Sequence, residues 1–183
     1  SVNKLSDGSS YQLDGEDDNR DATIFSRDDL TINGSGSLEI VGNYDHAVVS
    51  KDDLVITGGD ITVTSVQDAF QGKDAIKIGG GNLIVNAGDD AFHSEYLFYA
   101  KDGSIDVQSC VEGYEAEKVI VDGGDHKIIA SDDALNAAVA DSDETTTSET
   151  ATNGADNGNG TDPMNAQDTG QPPAENPNRS EEH

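Results

Sequence analysis

Short apolar runs alternate with polar residues at a period of two along most of this chain. Leu54-Val55-Ile56, Gly58-Gly59 and Ile61-Thr62-Val63 form one strand–turn–strand unit. Ile76-Lys77-Ile78, Gly80-Gly81 and Leu83-Ile84-Val85 repeat it, and Val119-Ile120-Val121, Gly123-Gly124 and a strand ending at Ile128 repeat it again. Leu30-Thr31-Ile32, Gly34, Gly36 and Leu38-Glu39-Ile40 make a looser, earlier copy. The runs are too short and too rich in β-branched residues for helices, and their alternation is that of strands. A small residue recurs before each unit, at Ala47, Ala69, Ala91, Gly113 and Ala134, with three spacings of 22 and one of 21.

A repeat of this length cannot bury an apolar face alone, but stacked copies can. Pairing each strand with its copy in the next repeat, about 4.8 Å away, lines up inward columns. These are Leu30/Leu54/Ile76/Phe98/Val119, Ile32/Ile56/Ile78/Ala100/Val121, Leu38/Ile61/Leu83/Ile105/His126 and Ile40/Val63/Val85/Val107/Ile128. A third short segment adds Val48/Phe70/Phe92/Tyr114/Leu135. The pattern predicts an all-β fold: a right-handed, single-stranded parallel β-helix with about five coils of about 22 residues. Leucine-rich repeats share a similar period but need their own Leu/Asn spacing, and a flat sheet of hairpins leaves one apolar face open. Glycine pairs between strands suit turns at positive φ. His126 stands out in an inward column and is expected near an open end, and the aromatic run Leu97-Phe98-Tyr99-Ala100 makes coil three irregular.

Three regions follow. Residues 1–21 hold an acidic loop from Asp14 to Asp21 and either a partial coil begun by Tyr11-Gln12-Leu13 or the remnant of missing coils. Residues 22–140 form the β-helix. Residues 141–183 are Thr, Ser, Asn, Gly, Asp, Glu and Pro with almost nothing apolar, the composition of a disordered tail or linker that leads to an anchor or another domain.

Charge narrows the partners. The chain carries 10 Lys+Arg against 37 Asp+Glu, a formal net charge of -27. The tail holds 10 acids and one base, so residues 1–140 keep 27 acids and 9 bases. Nucleic acid and anionic membrane surfaces are disfavoured, since phosphates would be repelled. Cations, or neutral ligands held by hydrogen bonds, are favoured. No apolar run reaches the roughly 18–20 residues of a membrane span, so no membrane insertion is expected. Cys110 is the only cysteine, which excludes a disulfide framework and a multi-cysteine zinc site and suits a small buried hydrophobe.

The repeat also stacks acids. The position before each small residue is His46, Asp68, Asp90, Glu112 and Asp133 in successive coils. Two carboxylates about 5 Å apart repel by roughly 1 kcal/mol even in water. A column of them must splay into solvent, protonate or share cations. Asp is favoured in turns for its own backbone hydrogen bonds, so a single such residue means little. Four acids at one register suit calcium, which takes 6–8 oxygen ligands in flexible geometry. The expected metal ligands are Asp68, Asp89, Asp90 and Glu112, then Glu115, Asp132 and Asp133. Asn136, Glu95 and Glu117 lie close by, and His93 shares a column with Glu115.

The stretches Asp52-Asp53-Leu54-Val55-Ile56-Thr57-Gly58-Gly59, Gly88-Asp89-Asp90-Ala91, Ser131-Asp132-Asp133-Ala134 and Arg27-Asp28-Asp29-Leu30-Thr31-Ile32 resemble a bacterial extracellular family. It is usually labelled carbohydrate-binding domain-containing protein, and the resemblance covers about residues 3–138. It implies a parallel β-helix similar to polysaccharide lyases, a secreted or cell-surface location, bound calcium, and cellulose or acidic-sugar polymers as ligands. Ala and Phe replace the usual Gly and Ile in several turns. Three functions are weighed: a non-catalytic polysaccharide-binding module, a calcium-dependent pectate-like lyase using Lys51 or Lys73 as base, and an adhesin stalk. A lyase needs a base beside the metal to take the proton α to a uronate carboxylate. Exposed tyrosines for sugar stacking are few: Tyr44, Tyr96 and Tyr99 are the candidates.

Overall fold

The computed structural model describes residues 2–11 and 21–138. β1 (Val2–Ser6), β2 (Ala22–Ser26) and β3 (Leu30–Ile32) make the first coil. β4 (Ser37–Gly42), β5 (His46–Ser50) and β6 (Leu54–Ile56) make the second. β7 (Asp60–Ser65), β8 (Phe70–Gly72) and β9 (Ala75–Ile78) follow, then β10 (Asn82–Asn86), β11 (Phe92–Ser94) and β12 (Leu97–Ala100). β13 (Ser104–Cys110), β14 (Tyr114–Ala116) and β15 (Lys118–Val121) close the fifth coil, and β16 (Asp125–Ala130) and β17 (Leu135–Ala137) begin a sixth. Strands of successive coils pair in parallel into three sheets. The first is β1-β4-β7-β10-β13-β16, the second β2-β5-β8-β11-β14-β17 and the third β3-β6-β9-β12-β15. The fold is a parallel β-solenoid, and no element of the described residues is a helix.

The columns pair as the repeat dictates. Leu54 faces Ile76, Ile76 faces Phe98, and Phe98 faces Val119. Ile40, Val63, Val85 and Val107 are fully buried, and so are Val48, Phe70 and Phe92. In the irregular run Phe98 turns inward, while the Tyr99 hydroxyl donates to Asp122 Oδ2 at 2.9 Å on the outer surface. The second glycines of the turns, Gly59, Gly81 and Gly124, have φ of 107°, 107° and 97°, a region costly for any side chain. Gly88 is needed for space: a Cβ there would lie 1.9 Å from the Val66 carbonyl oxygen.

His126 lies near the end of the described solenoid, half-buried under Tyr114. Its Nε2 is 2.9 Å from the Gly123 carbonyl, which only accepts, so Nε2 carries a proton. Its Nδ1 then accepts from the Tyr114 hydroxyl at 2.6 Å. The inward imidazole is satisfied by two partners inside the stack.

The start of the solenoid differs from expectation. The first strand is Val2–Ser6, in register with Ser37–Val41, whereas Tyr11 belongs to no strand. Val2 and Leu5 are three apart, so they do not alternate, and Asn3 takes the inward position opposite Leu38. That breaks the period-two signal. Tyr11 instead donates to Asp7 Oδ2 at 2.6 Å and packs edge-on against Tyr44. Gln12, Leu13, most of the acidic loop and the proposed tail lie outside the described residues, as does the end of the 22–140 region.

Candidate functional site

The corner between the first and second sheets carries the acidic column. Backbone bonds fix its register: Ala69 N–H donates to the Asp90 carbonyl at 2.9 Å, and Ala91 N–H to the Glu112 carbonyl at 2.9 Å. The side chains bond to the next coil's amides. His46 Nδ1 lies 3.2 Å from the Asp68 amide, Asp68 Oδ1 accepts from the Asp90 amide at 3.1 Å, and Asp90 Oδ1 from the Glu112 amide at 3.3 Å. Asp68 and Asp90 are buried, at 4% and 7% exposure. One oxygen of each is therefore structural and stitches adjacent coils together. The other oxygen, Oδ2, lies 3.3 Å from His46 Nδ1 and 3.5 Å from Gln71 Nε2 in Asp68, and 3.2 Å from His93 Nδ1 in Asp90.

His93 is the group that completes the site. It stands on the outer face of β11, where the period-two pleat puts it directly opposite Glu115. Its Nδ1 is 2.7 Å from Glu115 Oε2 and 3.2 Å from Asp90 Oδ2. Ligand atoms of Asp90, Glu112 and Glu115 lie within 4.8 Å of one another, as do those of Asp68, Asp90 and His93. Asn136 donates to both Glu112 oxygens, at 3.1 and 3.0 Å, and holds that carboxylate in place.

The electrostatics show anionic crowding. Burial, then the hydrogen bond shared with Asp90, raises Glu115 from 4.5 to about 7. The Asp90 hydrogen bond, working against burial and helped by the charges of Glu115 and Asp68, raises His93 from 6.5 to about 9. Burial disfavours charged Asp90, but hydrogen bonds from His93 and Glu115 outweigh it and hold it below the usual carboxylate range. Burial and the charges of Asp90 and Asp68 raise Asp89. At His46, burial opposes the charged imidazole, and Asp68, Asp45 and Asp21 together overcome it and raise it.

A pH dependence follows. Glu115 holds a proton in the folded state that the unfolded chain releases between pH 4.5 and 7, and His93 does the same between pH 6.5 and 9. The folded state binds more protons over both spans, so stability falls as pH rises through them. Asp90 has the opposite sign: its contribution is present above its ordinary value of 3.8 and lost on further acidification. Urea midpoints in chelator at about pH 5, 7 and 9 should decline in that order, with a flatter slope in a Glu115→Gln/His93→Gln double variant. Midpoints that rise with pH would contradict this assignment.

Of the expected ligands, the structure brings Asp68, Asp90, Glu112 and Glu115 into the two groups around His93. Asp89 neighbours Asp90 without joining either group, and Asp132 and Asp133 are exposed on the last coil and join neither. Two other groups were not anticipated: Asp21 with Asp45 and His46, and Asp28 with Asp29 and Asp52. Their signal was a spacing of 24 in place of 22, because the first coil is longer, as the pairings Ala22–His46 and Leu30–Leu54 show.

Beside the acidic corner, an open cleft of about 360 Å³ runs over the outer face of the second sheet. His46, Gln71 and His93 line it, with Lys51, Lys73 and Glu95 from the turns beyond β5, β8 and β11. It is an open groove lined mostly by polar and charged side chains. Tyr96 follows Glu95 in the chain and is 55% exposed, while Tyr44 is 37% exposed.

A family model described as carbohydrate-binding domain-containing protein matches residues 1–169. A protein of Acetivibrio thermocellus with the same description is 44% identical over 62 residues, 33% of this chain and 22% of that protein. The match thus spans about a fifth of that relative's length. Among solved structures, the chain is similar to the polysaccharide lyase-like protein from C. thermocellum in its gadolinium derivative. The TM-score is 0.56 at 28% identity, over 74% of this chain and 62% of that one.

Proposed function

The chain belongs to the family of carbohydrate-binding domain-containing proteins, and on that premise we propose that it is a non-catalytic polysaccharide-binding module that carries calcium along its acidic corner. The cleft over the second sheet carries this reading. It is open, elongated across several coils and lined by hydrogen-bonding and charged side chains, which suits a linear polymer such as cellulose or an acidic glycan. Asp90, Glu112 and Glu115, with Asp68 beside them, supply the hard oxygen ligands that calcium takes. For the ion to bind there, His93 must give up its bonds to Asp90 and Glu115 or become a ligand itself. Calcium in that position would neutralise the crowding that raises Glu115. A secreted or cell-surface location belongs to the same proposal, because calcium sites of extracellular modules are weak and need an abundant ion.

The test is retention of the full chain on insoluble cellulose and on gels holding soluble neutral and acidic glycans, with calcium and then with chelator. Retention on at least one polymer is expected. Uniform failure in calcium would reject the binding role and favour a stalk. One observation favours a second reading, a calcium-dependent lyase: both Lys51 and Lys73 border the cleft. Release of unsaturated products from pectate, abolished by Lys73→Ala, would replace the binding role with catalysis.

A further inference from the structure

The turn that leaves the second sheet holds Arg27, Lys51, Lys73, Glu95 and Glu117 in successive coils. Hydrogen bonds confirm the stacking: Lys51 N–H donates to the Ser26 carbonyl and Lys73 N–H to the Ser50 carbonyl, both at 3.0 Å. Glu95 N–H then donates to the Lys73 carbonyl, also at 3.0 Å. Three of the 9 bases in residues 1–140 therefore share one column, in a region with 27 acids.

Lys51 and Lys73, like Lys101 and Lys118, stand outside the ion pairs that hold the remaining described lysines. Lys4, Lys77 and Lys127 sit in ion pairs with Glu39, Asp53 and Asp106. Among the described residues, no carboxylate lies within ion-pair distance of the Lys51 or Lys73 ammonium, although Asp52 and Asp74 follow them directly in sequence. The Lys51 ammonium instead lies 6.0 Å from the centroid of the Phe25 ring, on the outer face of the second sheet. Both lysines border the cleft whose floor carries Gln71 and His93. The two lysines leave backbones that stack coil on coil, like charges on neighbouring coils repel, and an anion held between them and the cleft floor relieves that repulsion. Beyond Lys73 the column changes sign at Glu95, so the cationic stretch has a defined end.

We propose that the Lys51–Lys73 step of this column is a binding track for the anionic groups, carboxylate or sulfate, of a linear glycan lying along the solenoid axis, with the ammonium groups contacting the anions directly and no metal between. It rests on the polysaccharide-binding reading and adds the substrate class and the residues that select it. In this proposal the carboxylates of Asp68, Asp90, Glu112 and Glu115 take no part in recognising the anion.

The experiment measures affinity of the full chain for three soluble probes in chelator: an oligogalacturonate, a sulfated glucan and an unsubstituted β-glucan. Binding of an anionic probe should persist in chelator and weaken as salt rises. Lys51→Glu/Lys73→Glu should weaken it by about tenfold or more, and Lys51→Gln/Lys73→Gln by less. Lys101→Glu/Lys127→Glu, the same charge change in a turn and on the first sheet, should leave it nearly unchanged. Thermal unfolding of each variant verifies the fold. Binding of the carboxylated probe alone assigns the track to uronates, and binding of both anionic probes assigns it to charge in general. The proposal is overturned if chelator abolishes anionic binding, or if both charge reversals weaken it equally. Binding of the β-glucan alone would overturn it and leave the polysaccharide-binding reading standing, whereas no binding to any probe would remove both.

Discussion

Replacing Phe92 with alanine should destabilise the protein by about 3–5 kcal/mol, as for other buried aromatics. The ring is fully buried. It stacks on Phe70 at 4.9 Å and meets Phe98 and Tyr114 edge-on at 5.3 and 5.4 Å. Much of the cost of such a truncation depends on whether neighbours can move into the space. Here they cannot move far. Phe92 N–H is bonded to the Gly113 carbonyl at 3.1 Å and Phe70 N–H to the Ala91 carbonyl at 3.2 Å, so both flanking coils are held by their ladders. Phe92→Leu keeps most of the volume and should cost less than about 2 kcal/mol. Urea unfolding of the three proteins gives the comparison directly. An alanine variant within about 1 kcal/mol of wild type would mean that the stacked rings are not the centre of the core.

Calcium should raise the unfolding temperature. At a free concentration a hundredfold above the dissociation constant, an ion that binds only the folded state contributes about 2.7 kcal/mol. For a domain of this size that is a shift on the order of 10 °C. Magnesium at the same concentration should do less, because it demands near-octahedral geometry and gives up its water reluctantly. Asp90→Asn/Glu115→Gln should lose most of the calcium response. Without the ion, Glu115→Gln alone should be no less stable than wild type, since it removes a carboxylate crowded by Asp90 and Glu112. A midpoint that ignores calcium would eliminate the metal from this account.

The fold was legible because a solenoid repeats its instructions. Each inward column is read several times, so one poor position such as His126 does not hide the pattern. The acidic corner was legible for the same reason, as one register carries Asp68, Asp90 and Glu112. What the repeat could not show was how the oxygens divide their work. Oδ1 of Asp68 and of Asp90 bind amides of the following coil, which depends on side-chain direction. Nor could it show that His93 sits between Asp90 and Glu115 as their counter-charge. The first strand was missed because Val2-Asn3-Lys4-Leu5 does not alternate, and pairing with Ser37–Val41 overrides that weak local signal. Asp132 and Asp133 share the register but sit exposed on the last coil and join no cluster of ligand atoms, which the periodicity alone does not show.

The uniform register has a consequence for how such a protein changes length. From β7 onward the strands pair at offsets close to one repeat, as in Leu83 with Ile61 and Ile105. Removing or duplicating one whole repeat leaves every column continuous, while gaining or losing a single residue within a strand reverses which side chains face the core. The unit of tolerated change is thus an entire coil. Each coil gained lengthens the outer face of the second sheet by one strand spacing, so the reach of that surface is counted in repeats.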